Sequence, residues 1–458
     1  MYDIAVILVC LGGLMALAFR GGSMVLLAPV MAMLVVLLAE GGRLLASFTQ
    51  IYMPAMGGFV ISFFPLFLLG AIFGKLMDAT GSARALSRGI VRMLGTGQAI
   101  LALIVSCAVM TYGGVSLFVV AFATYPVAVG LFRQADIPRR LMPATIALGS
   151  FTFTMSALPG SPSIQNAIPM PFFGTTPFAA PGLGLIAGAI MFLFGWRWLE
   201  WRAARLKEGF DETGPEEIPE EGAKDPPVAL AALPLVLVLL LNGLFTWLLI
   251  PAMDTSYLAL PVFGETDVED LRGIWSVIAA LSFAILALIV LNLHRWRSVL
   301  AGLQDGANDA LLPIFNTSSL VGFGAVVASL SGFRLITERM MELGTENVLA
   351  SLAIATSFLA GLTGSASGGM SIALSTMGES YLALAEARGI SPDLLHRVTT
   401  LATGSLDTLP HNGAVITLLT ICGVGHRKAY GDLAMVCIAG PLAALIVVIL
   451  LGTLFGSF

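Results

Sequence analysis

Long apolar runs constrain this chain more than any other feature of its sequence. They are about 16 to 25 residues long, and helices of that length can cross a hydrocarbon core roughly 30 Å thick. Hydrophobic residues make up 57% of the chain and charged residues only 11%, whereas an average soluble protein is about one-quarter charged. The runs also lack the alternating pattern of outer-membrane barrel strands. The sequence therefore predicts an all-α polytopic membrane protein.

Charge and cysteine usage disfavour several kinds of partner. The net charge of -5 and the absence of a long basic stripe do not indicate nucleic-acid binding. The four cysteines stand singly inside apolar segments, without the spacing of a disulfide framework or a metal site. We expect no metal and no other cofactor. The first apolar run follows no basic segment, so we interpret it as a retained span in contact with lipid.

The order of the apolar runs is repeated in the two halves of the chain. The first half, 1–200, offers spans at about 3–19, 23–39, 57–76, 97–132, 141–170 and 181–199. The second half, 228–458, offers spans at about 228–250, 273–293, 311–330, 347–385, 396–421 and 431–455. Gly113-Gly114 recurs as Gly368-Gly369, and Gly149-Ser150 recurs as Gly404-Ser405 at the same spacing. This pattern predicts an internal duplication, with the polar residues 201–227 as a linker.

Arginine and lysine positions predict the orientation, because short cytoplasmic loops retain positive charge. The basic clusters of the first half are all cytoplasmic only if 97–132 enters and leaves on one side, as a re-entrant hairpin. Each half then has five crossings, one of which is a broken helix (141–170 or 396–421), and one hairpin (97–132 or 347–385). An odd number of crossings inverts the second repeat. We expect an inner-membrane protein with a cytoplasmic linker and both termini on the extracytoplasmic side.

Four segments interrupt the helical pattern with Gly, Pro and small hydroxyl residues, two in each half. Irregular backbone at membrane depth is tolerated only where it is buried in protein or lines a cavity. Breaks at matching positions of inverted halves indicate a transporter binding site. The predicted substrate-binding residues are Thr111, Tyr112, Gly113, Gly114, Ser116, Pro159, Gly160, Ser161, Ser163, Gln165, Asn166, Thr363, Gly364, Ser365, Ser367, Gly368, Gly369, Thr408, Pro410, His411 and Asn412.

The chemistry of these segments favours a small organic anion. Half-helices that begin at mid-membrane present free N–H groups and a positive dipole end to a carboxylate. None of the four segments contains Arg or Lys, so the anion would be held by dipoles and hydroxyl groups. Asp407 and His411 are the ionisable pair expected at depth, and their protonation could couple transport to a proton gradient. Asp407 could instead cap the following half-helix or bind Na⁺.

Structural alternatives stay open for several of these residues. The two Gly-Gly pairs could be close contacts between helices. The prolines Pro159 and Pro410 could be simple kinks, and Asn166 and Asn412 could be hydrogen-bonding links between helices.

Three stretches resemble a known family: 111–120, 135–141, and 158–169 with 173–177. They are similar to the gluconate:proton symporter (gluconate permease) family of the ion transporter superfamily, and within it to the hydroxybutyrate or citrate permease branch. The resemblance implies a scaffold domain, a transport domain with two hairpins, a homodimer and elevator-type alternating access.

The same superfamily contains sodium-coupled symporters for divalent anions, in which a Ser-Asn-Thr motif marks each hairpin tip. When the motifs of those relatives are carried over to this chain, the hairpin tips fall at 113–116 and 365–367. The helix breaks fall at 160–162 with Asn166 and at 410–412. Neither tip reads Ser-Asn-Thr here, and His411 stands where those relatives lack an ionisable group. The departures favour protons over sodium as the coupling cation.

The sequence thus predicts a transporter and not an enzyme: a proton-coupled symporter of a small hydroxy- or keto-carboxylate such as gluconate or hydroxybutyrate. A sodium-coupled di- or tricarboxylate symporter is the alternative. An intramembrane hydrolase is disfavoured because 364–368 does not match a Gly-x-Ser-x-Gly elbow. An anion channel is disfavoured because the polarity is concentrated at four breaks and forms no continuous pathway.

Overall fold

The computed structural model describes residues 2–20, 22–211, 225–333, 347–410 and 412–458. Within these ranges the chain forms helices and turns and no β-strand. The helices are α1 Tyr2–Phe19, α2 Met24–Glu40, α3 Leu44–Ala79, α4 Ser82–Leu94, α5 Ala99–Tyr112, α6 Leu117–Gln134, α7 Met142–Ser150, α8 Phe153–Ser156, α9 Ile164–Ala167, α10 Met170–Phe173, α11 Pro181–Arg205, α12 Val228–Ala252, α13 Val268–Leu291, α14 Leu293–Ala328, α15 Val348–Thr363, α16 Ala366–Glu386, α17 Pro392–Leu406, α18 Gly413–Cys422 and α19 His426–Phe455. The predicted site residue His411 and residues 212–224 of the linker lie outside the described residues.

Seven described helices are long and apolar enough to cross a membrane: α3, α6, α11, α12, α13, α14 and α19. The prediction of an all-helical, multi-pass membrane protein is confirmed. The predicted spans 57–76 and 311–330 were too short, because α3 and α14 are each continuous over 36 residues. The acidic residues Asp305 and Asp309 lie within α14. A helix of this length extends about 54 Å, so its polar turns can lie beyond the hydrocarbon core.

The two longest helices, α3 and α14, pack along each other. Glycine permits the close approach, since a Cβ added at Gly306 would lie 2.5 Å from the backbone Cα of Ile72. Lys75 and Asp309 form an ion pair of 2.8 Å across the same interface. Around this pair, α2 packs against α14 and α13 packs against α3. The two halves of the chain therefore make corresponding contacts with a shared central pair.

Two helical hairpins pack against this central pair. The first consists of α5 and α6, and its tip, 113–116, turns through Gly114 at φ 99°. The second consists of α15 and α16, and Gly364 at φ 60° makes its turn. At the first tip, a Cβ on Gly74 of α3 would lie 3.4 Å from the Ser116 amide nitrogen. At the second tip, Thr317 Oγ1 of α14 lies 3.4 Å from Ser367 Oγ.

The two predicted broken helices differ from each other. In the first half, α8 ends at Ser156, an irregular segment follows over 157–163, and only the single turns α9 and α10 come after it. We name 157–163 the first break. The second part of the predicted broken helix 141–170 consists only of these short turns, because prolines at 169 and 171 lack N–H donors and Gly174 ends α10 at φ 60°. In the second half, the described residues 407–410 and 412 lie between α17 and the ten-residue α18, and we name them the second break.

The interface between α3 and α14 can be tested with one added methyl group. Gly306→Ala puts a Cβ against the Ile72 backbone, so we expect it to lower the free energy of unfolding by about 1–3 kcal/mol. Gly130→Ala is the matched control in α6, where nothing lies within 4 Å of the added Cβ. The measurement is the thermal unfolding midpoint in detergent. Equal midpoints for the two variants would contradict this packing.

Candidate functional site

The irregular backbone of the first break receives its hydrogen bonds from side chains. Tyr112 Oη donates to the Pro159 carbonyl at 2.7 Å, and Asn242 Nδ2 donates to the Gly160 carbonyl at 3.0 Å. Asn166 Nδ2 donates to the Ser161 carbonyl at 2.9 Å. Lipid offers no such partners, so these bonds make a non-helical backbone possible at membrane depth. They come from the first hairpin, from α12 and from the break's own following turn.

Two adjacent residues of α17, in the second half, also hold the first break. Arg397 Nη1 donates to the Ser156 carbonyl at 3.2 Å, and Nη2 donates to the Ala179 carbonyl at 2.7 Å. His396 Nε2 lies 3.2 Å from Asn166 Oδ1. Both side chains are 0% exposed. Sequence reasoning missed them, although a His-Arg pair directly after two leucines, at the start of a predicted span, was a signal available in the sequence.

Asn412 organises the second break. Its Nδ2 donates to the Asp407 carbonyl at 2.8 Å and to the Gly364 carbonyl at 3.0 Å, so it joins the break to the second hairpin. Its Oδ1 accepts from the Val415 amide at 2.9 Å and caps α18. Asp407 is therefore not the cap of that half-helix. Tyr430 Oη of α19 donates to another carbonyl of this segment, that of Thr408, at 3.2 Å.

The helix α17 brings the two breaks to one region of the molecule. A Cβ added at Gly404 would lie 3.1 Å from both side-chain atoms of Ser156, immediately before the first break. Arg397 binds the same residue through its carbonyl. Asp407, the first residue of the second break, follows the end of α17. Arg397 and Asp407 are ten residues apart, which corresponds to about 15 Å along a helix.

Several predicted residues have structural contacts in this arrangement. A Cβ at Gly369 would lie 2.3 Å from the Ala360 backbone, and one at Gly113 would lie 2.3 Å from Leu235 Cδ2. These contacts match the alternative of close helix packing. Ser365 Oγ accepts from the Gly368 amide at 3.1 Å and caps α16, while Ser163 Oγ donates to the Met155 carbonyl at 2.7 Å.

Other predicted groups are buried without a hydrogen-bond partner among the described residues. They are Thr111 Oγ1, Gln165 Oε1 and Asp407 Oδ1. A buried polar atom without a partner costs roughly 1–3 kcal/mol, which a ligand or proton can offset. Thr363 Oγ1 donates to carbonyls of its own hairpin, and Pro410 is exposed. Among the described residues no three His, Cys, Asp or Glu side chains are grouped as metal ligands.

The helix N-termini that were expected to hold the anion are partly occupied in the structure. Asn412 and Ser365 already occupy N–H groups of α18 and α16. The helix after the first break, α9, has only four residues, and so short a helix has little dipole. The positive charge nearest the first break is instead the guanidinium of Arg397, which binds its flanking carbonyl at Ser156.

Comparison with known proteins identifies the family. The chain is 44% identical to the uncharacterized transporter YxjC of Bacillus subtilis (strain 168) over 469 residues, which covers 97% of this chain and 98% of the relative. The chain belongs to the YxjC transporter family. No family model matches it. As a member of this family it is a multi-pass membrane transporter and not an enzyme.

A solved structure supports the fold. The crystal structure of the Alcanivorax borkumensis YdaH transporter, described as having an unusual topology, matches with a TM-score of 0.50 and 16% sequence identity. The match covers 91% of this chain and 89% of that one. At this identity the likeness concerns the fold alone.

The role of Asn412 can be separated from simple helix capping. Asn347 caps α15 through one bond to the Ala350 amide, so Asn347→Ala is expected to cost about 1 kcal/mol of stability. Asn412→Ala also frees the carbonyls of Asp407 and Gly364, and each adds roughly 1–3 kcal/mol. Thermal unfolding of both variants in detergent measures the difference. A loss no larger for Asn412→Ala would remove its bridging role.

Proposed function

We propose that this YxjC-family transporter is a proton-coupled symporter of a small hydroxy- or keto-carboxylate, such as gluconate or hydroxybutyrate, working by alternating access. The observation that carries the proposal is a pair of ionisable groups, one within α17 and one directly after its end. Arg397 lies buried beside the first break, and Asp407 begins the second. A fixed cation and a carboxylate with a buried oxygen are suited to binding an anion together with a proton.

Arg397 supports an anionic substrate. Its guanidinium bonds only to the Ser156 and Ala179 carbonyls, and no carboxylate of the described residues lies within ion-pair distance. Asp393, one turn earlier on α17, and Tyr112 interact with it electrostatically from further away. A buried cation inside a membrane protein is costly, and such residues belong to functional sites by default. A carboxylate bound near the first break would offset that cost.

Asp407 supports proton coupling. Its Oδ1 is buried and accepts no hydrogen bond from the described residues. An ionised carboxylate that is buried in this way has a high free energy, and binding of a proton lowers it. Next to it on α19 lie Tyr430, which donates to the Thr408 carbonyl, and Cys437, whose carbonyl is 3.5 Å from Thr408 Oγ1. His411 stays a predicted second proton carrier.

The proposed mechanism is an elevator built from two inverted repeats, 1–200 and 228–458, joined by the linker 201–227. The hairpins and broken helices form the moving body, and the α3 and α14 pair belongs to the scaffold. At the second tip the two bodies meet where Thr317 Oγ1 lies 3.4 Å from Ser367 Oγ, so we expect their boundary to run there. A homodimer follows from the family resemblance. The basic clusters support an inner-membrane location with both termini extracytoplasmic.

Uptake into liposomes tests the coupling ion and the substrate together. We expect one of gluconate, 3-hydroxybutyrate, lactate, citrate or succinate to accumulate under an inward proton gradient alone, because the proton on Asp407 offsets the anion's charge. Accumulation that requires sodium would instead favour the sodium-coupled di- or tricarboxylate symporter. Equilibration without accumulation would contradict symport.

The variant Asp407→Asn tests whether Asp407 carries the coupling proton. A neutral amide resembles the protonated carboxyl group, so substrate exchange between the two sides should persist while proton-driven accumulation is lost. Glu379→Gln serves as the control, because it removes one exposed carboxylate from α16 of the second hairpin. Full proton-driven accumulation by Asp407→Asn would remove Asp407 from this role.

Substitution of Arg397 tests the fixed positive charge. Arg397→Gln should raise the half-saturation concentration for the transported acid by at least about thirtyfold, as expected when one member of a buried charge pair is lost. Arg397→Lys keeps the charge and should recover part of the affinity. Arg139→Gln is the matched control, since Arg139 is also buried and binds a backbone carbonyl, that of Cys422. An unchanged half-saturation concentration in Arg397→Gln would exclude the role.

A further inference from the structure

We propose that His396 is a neutral positioning residue, which holds the first break in shape through Asn166 and does not carry the coupling proton. The inference rests on the proposed function only for its transport measurements. It concerns a buried histidine in the core of a transporter, a position where proton transfer would be the default expectation.

The hydrogen bonds of Asn166 fix its orientation. Its Nδ2 donates both hydrogens, one to the Ser161 carbonyl and one to the Pro177 carbonyl, each at 2.9 Å. The oxygen Oδ1 must therefore face His396 Nε2, 3.2 Å away. Because an amide oxygen only accepts, Nε2 of the imidazole carries a hydrogen.

The other ring nitrogen completes a neutral imidazole. Thr175 Oγ1 lies 2.7 Å from His396 Nδ1 and can donate its hydroxyl hydrogen to it. With that bond both ring nitrogens of His396 are satisfied without a second proton. The ring is 0% exposed, so it has no access to water in this conformation.

The charges around the ring also oppose protonation. Arg397 is the next residue on α17 and is equally buried. Asp393, a turn earlier, lies close enough to interact with both Arg397 and Arg272 of α13, and Tyr112 of the first hairpin approaches Arg397. A protonated imidazole would place a second positive charge beside Arg397, and like charges at this distance repel strongly in a low dielectric.

The difference between the two breaks explains why the first needs a histidine. Asn412 and Asn166 each donate to the carbonyl five residues earlier in the chain. Asn412 uses its oxygen to cap α18. Asn166 lies inside the four-residue α9 and caps no helix with its oxygen. Instead of a helix amide, His396 Nε2 is the donor to the Asn166 oxygen. Asn166 in turn donates to the Pro177 carbonyl, which also accepts from the Gly160 amide at 2.8 Å.

Removal and conservative replacement of the ring test the proposal. His396→Ala frees Asn166, so we expect the maximal uptake rate to fall by about tenfold to a hundredfold through misplacement of the break. His396→Gln can donate to Asn166 and accept from Thr175, so it should recover most of that rate. The pH dependence of uptake should match the wild type in every variant that transports. Asn166→Ala and the double variant with His396→Ala should lose equal amounts, because both act on one link.

A second readout does not require transport. A cysteine introduced at Ser161, which is 1% exposed, reports opening of the first break to a thiol reagent. The four native cysteines are buried and give little background. Labelling should increase in His396→Ala and stay low in His396→Gln. This result tests the positioning role even if none of the acids is transported, in which case the proposed function alone would fail.

Two outcomes would overturn the inference. If His396→Gln exchanges substrate but no longer accumulates it under a proton gradient, His396 carries the proton. If Ser161→Cys labels equally with and without the imidazole, the ring does not hold the break.

Discussion

Backbone groups that leave a helix inside a membrane need hydrogen-bond partners, and this requirement shapes the centre of the molecule. The first break has its carbonyls bound by Tyr112, Asn242 and Asn166. Arg397 binds the carbonyl just before it. Apart from Asn166, these side chains come from three other parts of the chain, so the break can exist only when the hairpin, α12 and α17 are all assembled around it.

The two breaks solve the same problem in different ways. The second is bound by Asn412 and Tyr430 and is followed by the ten-residue helix α18. The first is followed by single turns and depends on the other half of the chain for His396 and Arg397. The first break is consequently held in place by hydrogen bonds from the second half of the chain. The second keeps an acidic oxygen, Asp407 Oδ1, without a partner among the described residues.

The sequence predicted where the helices break, because clusters of Gly, Pro and Asn interrupt a helix even inside a strongly apolar run. For the same reason it singled out Asn166 and Asn412 as substrate-binding residues, and their hydrogen bonds match the alternative role of links between segments. It could not predict that His396 and Arg397 bind a segment more than 200 residues away, since such pairing depends on tertiary packing. The lengths of α3 and α14 were also missed, because a helix that leaves the bilayer carries the polar residues typical of a loop.

The length of α3 and α14 has a consequence for the lipid around the protein. Each helix exceeds the thickness of a hydrocarbon core, and the close packing at Gly306 and the Lys75 and Asp309 ion pair hold the two together. A tied pair of this length adapts to a bilayer by tilting as one unit. Bilayer thickness would thereby set the angle of the surface on which the hairpin tips rest, so the chain length of the lipids becomes a variable of the transport cycle.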